Sequence, residues 1–98
     1  MIVFGKEKLE YFIMKHSIAK KAIDRWYNTL KQNTFTDFND LKSTFSGVDY
    51  IGNERYIFNL KGNNFRIITI IVFIDDTLVI RWIGTHADYD KIKDCSTF

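Results

Sequence analysis

The chain has 98 residues, of which 46% are hydrophobic, 16% aromatic and 27% charged. This length suits a single domain, and the apolar content excludes a wholly disordered chain, since such chains cannot bury enough apolar surface to offset ordering entropy. The single cysteine, Cys95, excludes an intramolecular disulfide framework, and a net charge of +2 is too small to identify a nucleic-acid-binding protein by itself. We therefore expect one domain over residues 1–98.

The distribution of apolar residues also bears on location. No run approaches the roughly 20 consecutive apolar residues that a membrane helix needs. The chain starts with an apolar segment followed by charged residues, which is the reverse of the order in a signal peptide. The sequence predicts a cytoplasmic protein with no membrane contact.

The first half of the chain has helical periodicity. We expect a short strand over Ile2–Phe4 and a helix over residues 6–16. Ser17 is expected to cap a second helix through its hydroxyl. That helix has one apolar stripe, formed by Ala19, Ala22, Ile23, Trp26 and Leu30. The two helices should form a hairpin, followed by a helical turn that starts at Thr36 or Asp37 and ends near Gly47.

In the second half the apolar period changes to two, which is typical of strands. Weak strand or turn character over residues 50–53 precedes a strand over Arg55–Leu60, a turn over residues 61–64 and an apolar strand over residues 65–74. A turn at residues 75–76, a strand over residues 77–83 and a helical turn over residues 88–93 complete the pattern. The sequence predicts an α+β fold: an N-terminal strand and a two-helix hairpin packed on one face of a mostly antiparallel sheet, with a short C-terminal helix. The most apolar strand should be central.

Metal and cofactor chemistry finds no support in the residue spacing. The two histidines lie 70 positions apart and the cysteine is near the C-terminus, so zinc-type ligand spacing is missing. The five glycines are scattered, which excludes a phosphate loop or a dinucleotide fingerprint. We expect neither a metal nor a cofactor.

Two arginines stand in the predicted apolar strands. Arg66 begins one strand, and strict alternation places Arg81 on the same side as Val79 and Ile83, opposite Trp82. An arginine among apolar neighbours requires an anionic partner. Two alternatives remain open: a carboxylate across the sheet, or an anion-binding site on the sheet face away from the helices.

Other polar groups follow the last strand. A helical turn would put His86 and Tyr89 on one face, and Lys61 and Lys91 would add positive charge near the same end. Such a cluster suits phosphodiester transesterification, in which a base takes the ribose 2′-OH proton, a cation stabilises the charge on phosphorus and an acid protonates the leaving 5′-oxygen. The plain alternative is that His86 is a surface or capping residue.

Two motifs carry a resemblance to a known family. Residues 58–66 read Phe-Asn-x-x-Gly-Asn-x-x-Arg, and residues 81–90 read Arg-x-x-x-Thr-His-x-x-Tyr-Asp. In combination they resemble the HigB branch of the RelE-like toxins, and the similarity extends over about residues 1–92. The resemblance implies a type II toxin–antitoxin toxin that acts as an mRNA interferase, an endoribonuclease that cleaves mRNA in the ribosomal A site. It also implies neutralisation by a helix-turn-helix antitoxin of the HigA type, through which any oligomer would mainly form.

By position in these motifs, the resemblance implies catalytic roles for a set of five residues: Arg66, His86, Tyr89, Arg81 and Lys61. Contacts to RNA are expected from a second set: Lys91, Asn63, Lys20, Lys21 and Arg25. The alternative functions are a non-catalytic RNA- or ribosome-binding module on the same fold, and a small interaction protein whose basic helical hairpin docks an acidic partner. In the last case Arg66 and Arg81 would be merely structural. The plain alternative for Lys20, Lys21, Arg25 and Lys31 is an ordinary solvated helix face rather than a contact surface.

Overall fold

The computed structural model describes residues 1–62 and 64–98. Five strands are present: β1 (Ile2–Phe4), β2 (Val48–Gly52), β3 (Arg55–Leu60), β4 (Phe65–Val72) and β5 (Thr77–Thr85). The helices are α1 (Lys6–Lys15), α2 (Lys20–Lys31), α3 (Phe38–Thr44) and the short α4 (His86–Tyr89). Short 3₁₀ turns occupy Ser17–Ala19, Phe73–Asp75 and Cys95–Thr97. Within the described ranges, no helix is long and apolar enough to cross a membrane.

The five strands form one sheet in the order β1-β5-β4-β3-β2. Strands β2 to β5 pair as an antiparallel meander, and β1 pairs in parallel with the first residues of β5. The apolar strand β4 lies in the middle, as its β-branched sequence predicts. The expected α+β architecture is confirmed.

One sheet face carries the main core. The stripe of α2 is buried as predicted, with Ile23, Trp26 and Leu30 each at most 2% exposed. The Trp26 ring meets Phe58 of β3 edge-on, with centroids 5.2 Å apart. Each fully buried side chain of this size contributes roughly 1.5–3 kcal/mol of transfer free energy, which fixes the hairpin on the sheet.

The opposite face, which we call the front face, is defined by alternate residues of the three central strands: Arg55, Ile57, Asn59, Arg66, Ile68, Trp82 and Gly84. Ile57 and Ile68 are buried although they lie outside the main core cluster. The C-terminal segment (residues 90–98) lies on the same face. Its Phe98 lies 6.4 Å from the Trp82 ring and accepts hydrogen bonds from Arg55 Nε and Nη2 at 3.0 and 2.9 Å.

Several expected boundaries are wrong. Ser17 caps no helix through its side chain, because a 3₁₀ turn over Ser17–Ala19 precedes α2 and Ala19 occupies the cap position. Strand β2 begins at Val48, two residues earlier than expected. Strand β4 ends at Val72, since the chain turns over Phe73–Asp75 and leaves Ile74 92% exposed. The expected start of α3 is confirmed: the Asp37 carboxylate accepts a hydrogen bond from the Asp40 amide at 2.9 Å.

The end of the sheet also differs from expectation. Strand β5 continues to Thr85, and α4 starts at His86 instead of Asp88. The Thr85 hydroxyl provides the N-cap by accepting a hydrogen bond from the Asp88 amide at 3.2 Å. The helical turn is therefore short and is attached directly to the end of the sheet.

Candidate functional site

Arg66 lies on the front face, at the end of the sheet where β4 begins. In the sheet register it lies between Asn59 of β3 and Gly84 of β5. Its guanidinium carbon lies 4.5 Å from the centroid of the Tyr89 ring, a cation–π contact. Arg66 Nε is buried and has no hydrogen-bond partner in the part of the chain that the structure describes. A cation with an unused donor is suited to bind an anion.

Helix α4 brings Tyr89 over Arg66. The amide of His86 donates to the carbonyl of Asn64 at 3.0 Å, which anchors the start of α4 beside the start of β4. The Tyr89 ring then lies 6.3 Å from the ring of Trp82. The site is thus built from the start of β4, the end of β5 and the helix that follows it.

Gly84 makes room for this arrangement. A Cβ atom at this position would lie 2.5 Å from Cζ2 of Trp82, far inside van der Waals contact. The indole of Trp82 therefore lies over the Gly84 backbone, directly beside the cross-strand position of Arg66. A side chain at residue 84 would displace the tryptophan that contacts Tyr89.

Burial raises the pKa of Tyr89. Desolvation, aided by a hydrogen bond with Cys95 and opposed by Arg66, raises the pKa of Tyr89 from 10.0 to about 12. At neutral pH the phenol is uncharged, so it can donate a hydrogen bond but is a poor proton acceptor. Cys95 belongs to the C-terminal segment, which thereby contacts the site.

His86 lies at the outer side of α4. Its Nε2 is 3.1 Å from Asp90 Oδ2, and the two side chains are 45% and 59% exposed. The helical turn that the sequence predicts for His86 and Tyr89 is present. Within residues 1–62 and 64–98, no three His, Cys, Asp or Glu side chains group closely enough to hold a metal ion.

The structure does not bring Arg81 to this cluster. The pairs Thr69–Ile80 and Ile68–Trp82 leave Arg81 as the extra residue of a β-bulge, which breaks the strict alternation assumed for this strand. Arg81 lines a groove beside α1 instead of the front face, so its expected position is wrong. The alternative of a cross-sheet carboxylate is also wrong, because no ion pair to Arg81 occurs among the described residues.

The remaining cations are distributed over the surface. Lys61 Nζ donates to the carbonyl of Ile18 at 3.4 Å and lines a groove with Arg25. Lys20 pairs with Asp24, and Lys91 lies 3.5 Å from Asp88. Lys21 is exposed on α2. Asn63 lies outside the described residues.

Three residues of the site escaped the sequence-based assignment: Asn59, Trp82 and Cys95. The Asn59 amide nitrogen donates to the carbonyl of Gly47 at 2.8 Å, while its Oδ1 is buried without a partner among described residues. Asn59 and Trp82 both lie inside the two motifs, so motif position could have identified them. Nothing in the sequence around Cys95 indicates a contact with Tyr89.

Comparison with known proteins gives the family. Residues 19–92 match the HigB toxin family, described as the RelE-like toxic component of a toxin–antitoxin system. This chain belongs to that family. The matched range contains both motifs together with Arg66, His86 and Tyr89, so the resemblance inferred from the motifs is confirmed.

Relatives from enteric bacteria agree with the family model. A protein of Escherichia coli O6:H1 (strain CFT073) named "mRNA interferase HigB" is 27% identical over 94 residues, which cover 94% of this chain and 91% of that protein. The "mRNA interferase toxin HigB" of Escherichia coli K12 is 32% identical over 66 residues, covering 64% of this chain and 62% of its own length. A Shigella flexneri protein named "mRNA interferase HigB" has the same identity and coverage. As a family member, this chain is the toxic component of a toxin–antitoxin pair and has an antitoxin as its partner.

Proposed function

We propose that this chain is an mRNA interferase, an endoribonuclease that cleaves messenger RNA by metal-independent 2′-OH transesterification. The observation that carries the proposal is the Arg66–Tyr89 pair on the front face, in which Arg66 Nε has no partner among the described residues and the neighbouring phenol is protonated. The names of the relatives, which are mRNA interferases, support the same reaction class.

The reaction assigns a role to each group. The scissile phosphate binds at Arg66, whose guanidinium stabilises the negative charge that grows on the phosphorane oxygens. The ribose 2′-oxygen loses its proton to a base and attacks phosphorus, the bond to the 5′-oxygen breaks, and an acid gives that oxygen the proton of the new 5′-hydroxyl. The products are a 2′,3′-cyclic phosphate and a 5′-hydroxyl, formed with no net uptake of water or metal.

Proton transfer falls to His86 and hydrogen-bond donation to Tyr89. Imidazole is the side chain that ordinarily exchanges a proton near neutral pH, and the Asp90 carboxylate holds Nε2 of His86. The phenol of Tyr89 is protonated at neutral pH, so it donates a hydrogen bond to the phosphate or to the leaving oxygen. Trp82 and Tyr89 offer aromatic surface on which an unstacked base can lie.

The cellular setting follows from the same proposal. We infer that the substrate is mRNA in the ribosomal A site, that the neutralising partner is a HigA-type helix-turn-helix antitoxin, and that the protein acts in the cytoplasm. A net charge of +2 supports this setting, since RNA already held by a ribosome does not require a strongly basic nuclease.

The decisive experiment compares Arg66 variants in a translating extract, with cleavage sites mapped by primer extension on a reporter mRNA. Arg66→Ala removes the charge and should lower cleavage by about 10²–10³-fold, the usual cost of losing one transition-state donor. Arg66→Lys keeps the charge but loses the planar contact with Tyr89, so we expect an intermediate rate. Lys31→Ala, an exposed change on α2, serves as the matched control and should cleave like the wild type.

Expression without an antitoxin provides the second readout. Wild type should arrest growth, and Arg66→Ala and His86→Ala should not, although both variants fold. Full toxicity of a folded Arg66→Ala variant contradicts the proposed site. Ribosome association of the wild type with no cleavage products would instead favour the non-catalytic binding module.

A further inference from the structure

A groove runs between α1 and β5, beyond the point where β1 ends. Its volume is about 420 Å³, and we call it the α1–β5 groove. One wall is formed by Arg81, Trp82 and Ile83, and the other wall by side chains of α1. The volume lies within the range of ordinary ligand pockets. The proposed cleavage reaction assigns this groove no role.

The β5 wall of the groove is an open sheet edge. Strand β1 pairs only with Thr77, Leu78 and Val79, so residues 80–85 of β5 have no strand on that side. Side chains alternate along a strand, yet three consecutive residues line the groove, which places the groove at the edge of the sheet. Residues 81–83 form no backbone hydrogen bond to α1 in the chain as described. The amides and carbonyls of an open edge pair best with another polypeptide backbone.

Exposed apolar side chains surround the groove. Tyr11 lines it and is 61% exposed, and Met14, which shares a helix face with Tyr11, is 83% exposed. Phe4 ends β1 opposite Val79, two residues before the groove begins, and is 55% exposed. Grouped apolar residues on a surface mark sites of protein contact. The aliphatic side chain of Met14 offers no ring on which a base could stack, so this surface favours a protein over RNA.

The charge of the groove is mainly positive. Lys8, Lys15 and Arg81 line it, against the one carboxylate of Glu7. None of these three cations forms an ion pair with another described residue. Lys15 Nζ lies 4.7 Å from the centroid of the Tyr11 ring, which holds the charge beside the apolar wall. The complementary partner therefore carries acidic side chains among apolar ones.

We propose that the α1–β5 groove binds the antitoxin, through an extended segment that carries acidic and apolar side chains. The backbone of this segment pairs with the open edge of β5. Its carboxylates contact Lys8, Lys15 and Arg81, and its apolar side chains pack on Tyr11 and Met14. Family membership supplies the partner but does not assign its surface. The inference is independent of the proposed cleavage of mRNA.

The test measures how the antitoxin, the product of the reading frame beside the toxin gene, binds immobilised full-length toxin in biolayer interferometry. The double variant Lys8→Glu/Lys15→Glu reverses two charges of the groove. Complementary charges act mainly on association, so its kon should fall by about tenfold and lose most of its dependence on salt. Met14→Asn removes an apolar contact without changing the charge and should raise koff by about tenfold.

Matched controls make the same changes away from the groove. Lys21→Glu/Lys31→Glu reverses two exposed charges on α2, and Ile74→Asn changes an apolar residue that is 92% exposed in the turn before β5. We expect both controls to bind with the kon and koff of the wild type. Equal effects of the controls, unchanged binding by both groove variants, or no binding by the wild type overturns the proposal. All these positions are exposed, so the variants should keep the Tm of the wild type.

Hydrogen exchange locates the contact without any substitution. In the complex, amides of residues 81–83 and of α1 should exchange more slowly than in the free toxin, because the open edge gains hydrogen-bond partners. Protection confined to α2, α3 or β2 overturns the proposal.

Two further measurements separate other occupants of the groove. A short labelled RNA in which every 2′-OH is methylated is titrated by fluorescence anisotropy, and groove variants that lose this RNA while they keep the antitoxin overturn the proposal in favour of RNA. Light scattering gives the oligomeric state, and a wild-type dimer that the groove variants convert to a monomer overturns it in favour of a second copy of the chain.

Cell growth provides the readout in vivo. Toxin with a changed groove should still arrest growth when the antitoxin is co-expressed, whereas the antitoxin should neutralise the wild type and both controls. Binding does not require catalysis, so a toxin that binds the antitoxin through this groove but cleaves no mRNA would refute the proposed function and leave the groove assignment standing.

Discussion

Adding one methyl group at Gly84 should disturb both the stability and the site. In Gly84→Ala the new Cβ lies 2.5 Å from Cζ2 of Trp82, so the indole must move toward Tyr89 and Phe98. Overpacking of this kind costs about 1–3 kcal/mol. The backbone at residue 84 is outside the left-handed region, so alanine can adopt it. Alanine also lowers the conformational entropy of the unfolded chain, which stabilises the folded state by about 0.5–1 kcal/mol and offsets part of the loss. We expect a net loss of about 1–2 kcal/mol.

For a domain of this size each kcal/mol shifts the Tm by about 4–8 °C, so Tm should fall by roughly 4–16 °C. Urea unfolding followed by tryptophan fluorescence measures the free energy directly, since Trp82 is one of two tryptophans. The control is the same change in a Trp82→Phe background, in which the indole atoms that clash are missing. If Gly84→Ala leaves Tm within 2 °C of wild type, or costs as much beside Phe as beside Trp, the packing argument is wrong.

Three further predictions concern other parts of the fold. The pKa of Tyr89 is raised from 10.0 to about 12, so this group should not affect the free energy of unfolding below pH 10. As the pH rises from 10 toward 12 the protein should lose stability, because the unfolded chain releases a proton that the folded chain keeps. The Tm measured from pH 9 to 12 should therefore fall less steeply in Tyr89→Phe than in the wild type, and parallel curves contradict the burial of the phenol. Asp37→Ala removes the N-cap of α3 and should cost about 1 kcal/mol in urea unfolding, whereas Asp37→Asn should cost little, and equal losses argue against a capping role. Ile68→Ala should cost about 2–5 kcal/mol, and a loss below 1 kcal/mol means that the C-terminal segment does not seal the front face.

Local patterns account for most of the architecture. The bounds of β3 follow from alternation, and the buried stripe of α2 follows from helical periodicity. The central place of β4 follows from its β-branched composition. These features depend on residues near each other in the chain, so the sequence alone is sufficient to predict them.

Features that depend on distant contacts were not predictable. The bulge at Arg81 arises where β5 meets both β4 and the N-terminal elements, and no local pattern marks it. Helix α4 starts at His86 because Thr85 caps it and the Asn64 carbonyl accepts the His86 amide, which requires the start of β4 and the end of β5 to be side by side. The contacts of Phe98 with Trp82 and Arg55 likewise join the front face to a segment far along the chain.

The candidate site was predicted in part for the same reason. Motif position identified Arg66 and Tyr89, which the structure places in contact. It also grouped Arg81 and Lys61 with them, whereas those side chains line two different grooves. The spacing of residues along a strand predicts which side chains share a face only while the alternation is unbroken. A bulge or a turn changes the face, and the spacing does not reveal it.

Because β1 pairs in parallel with β5, the sheet cannot be completed during synthesis until β5 has been made. Strand β1 is synthesised first, but Ile2 has no strand to pair with until Thr77 of β5 has been made. The Arg66–Tyr89 contact likewise needs α4, which is made after the entire sheet. The chain must lose the entropy of closing this long loop before the contacts that it permits contribute any stability. On a nascent chain the site therefore cannot assemble before α4, which follows all five strands, has been synthesised.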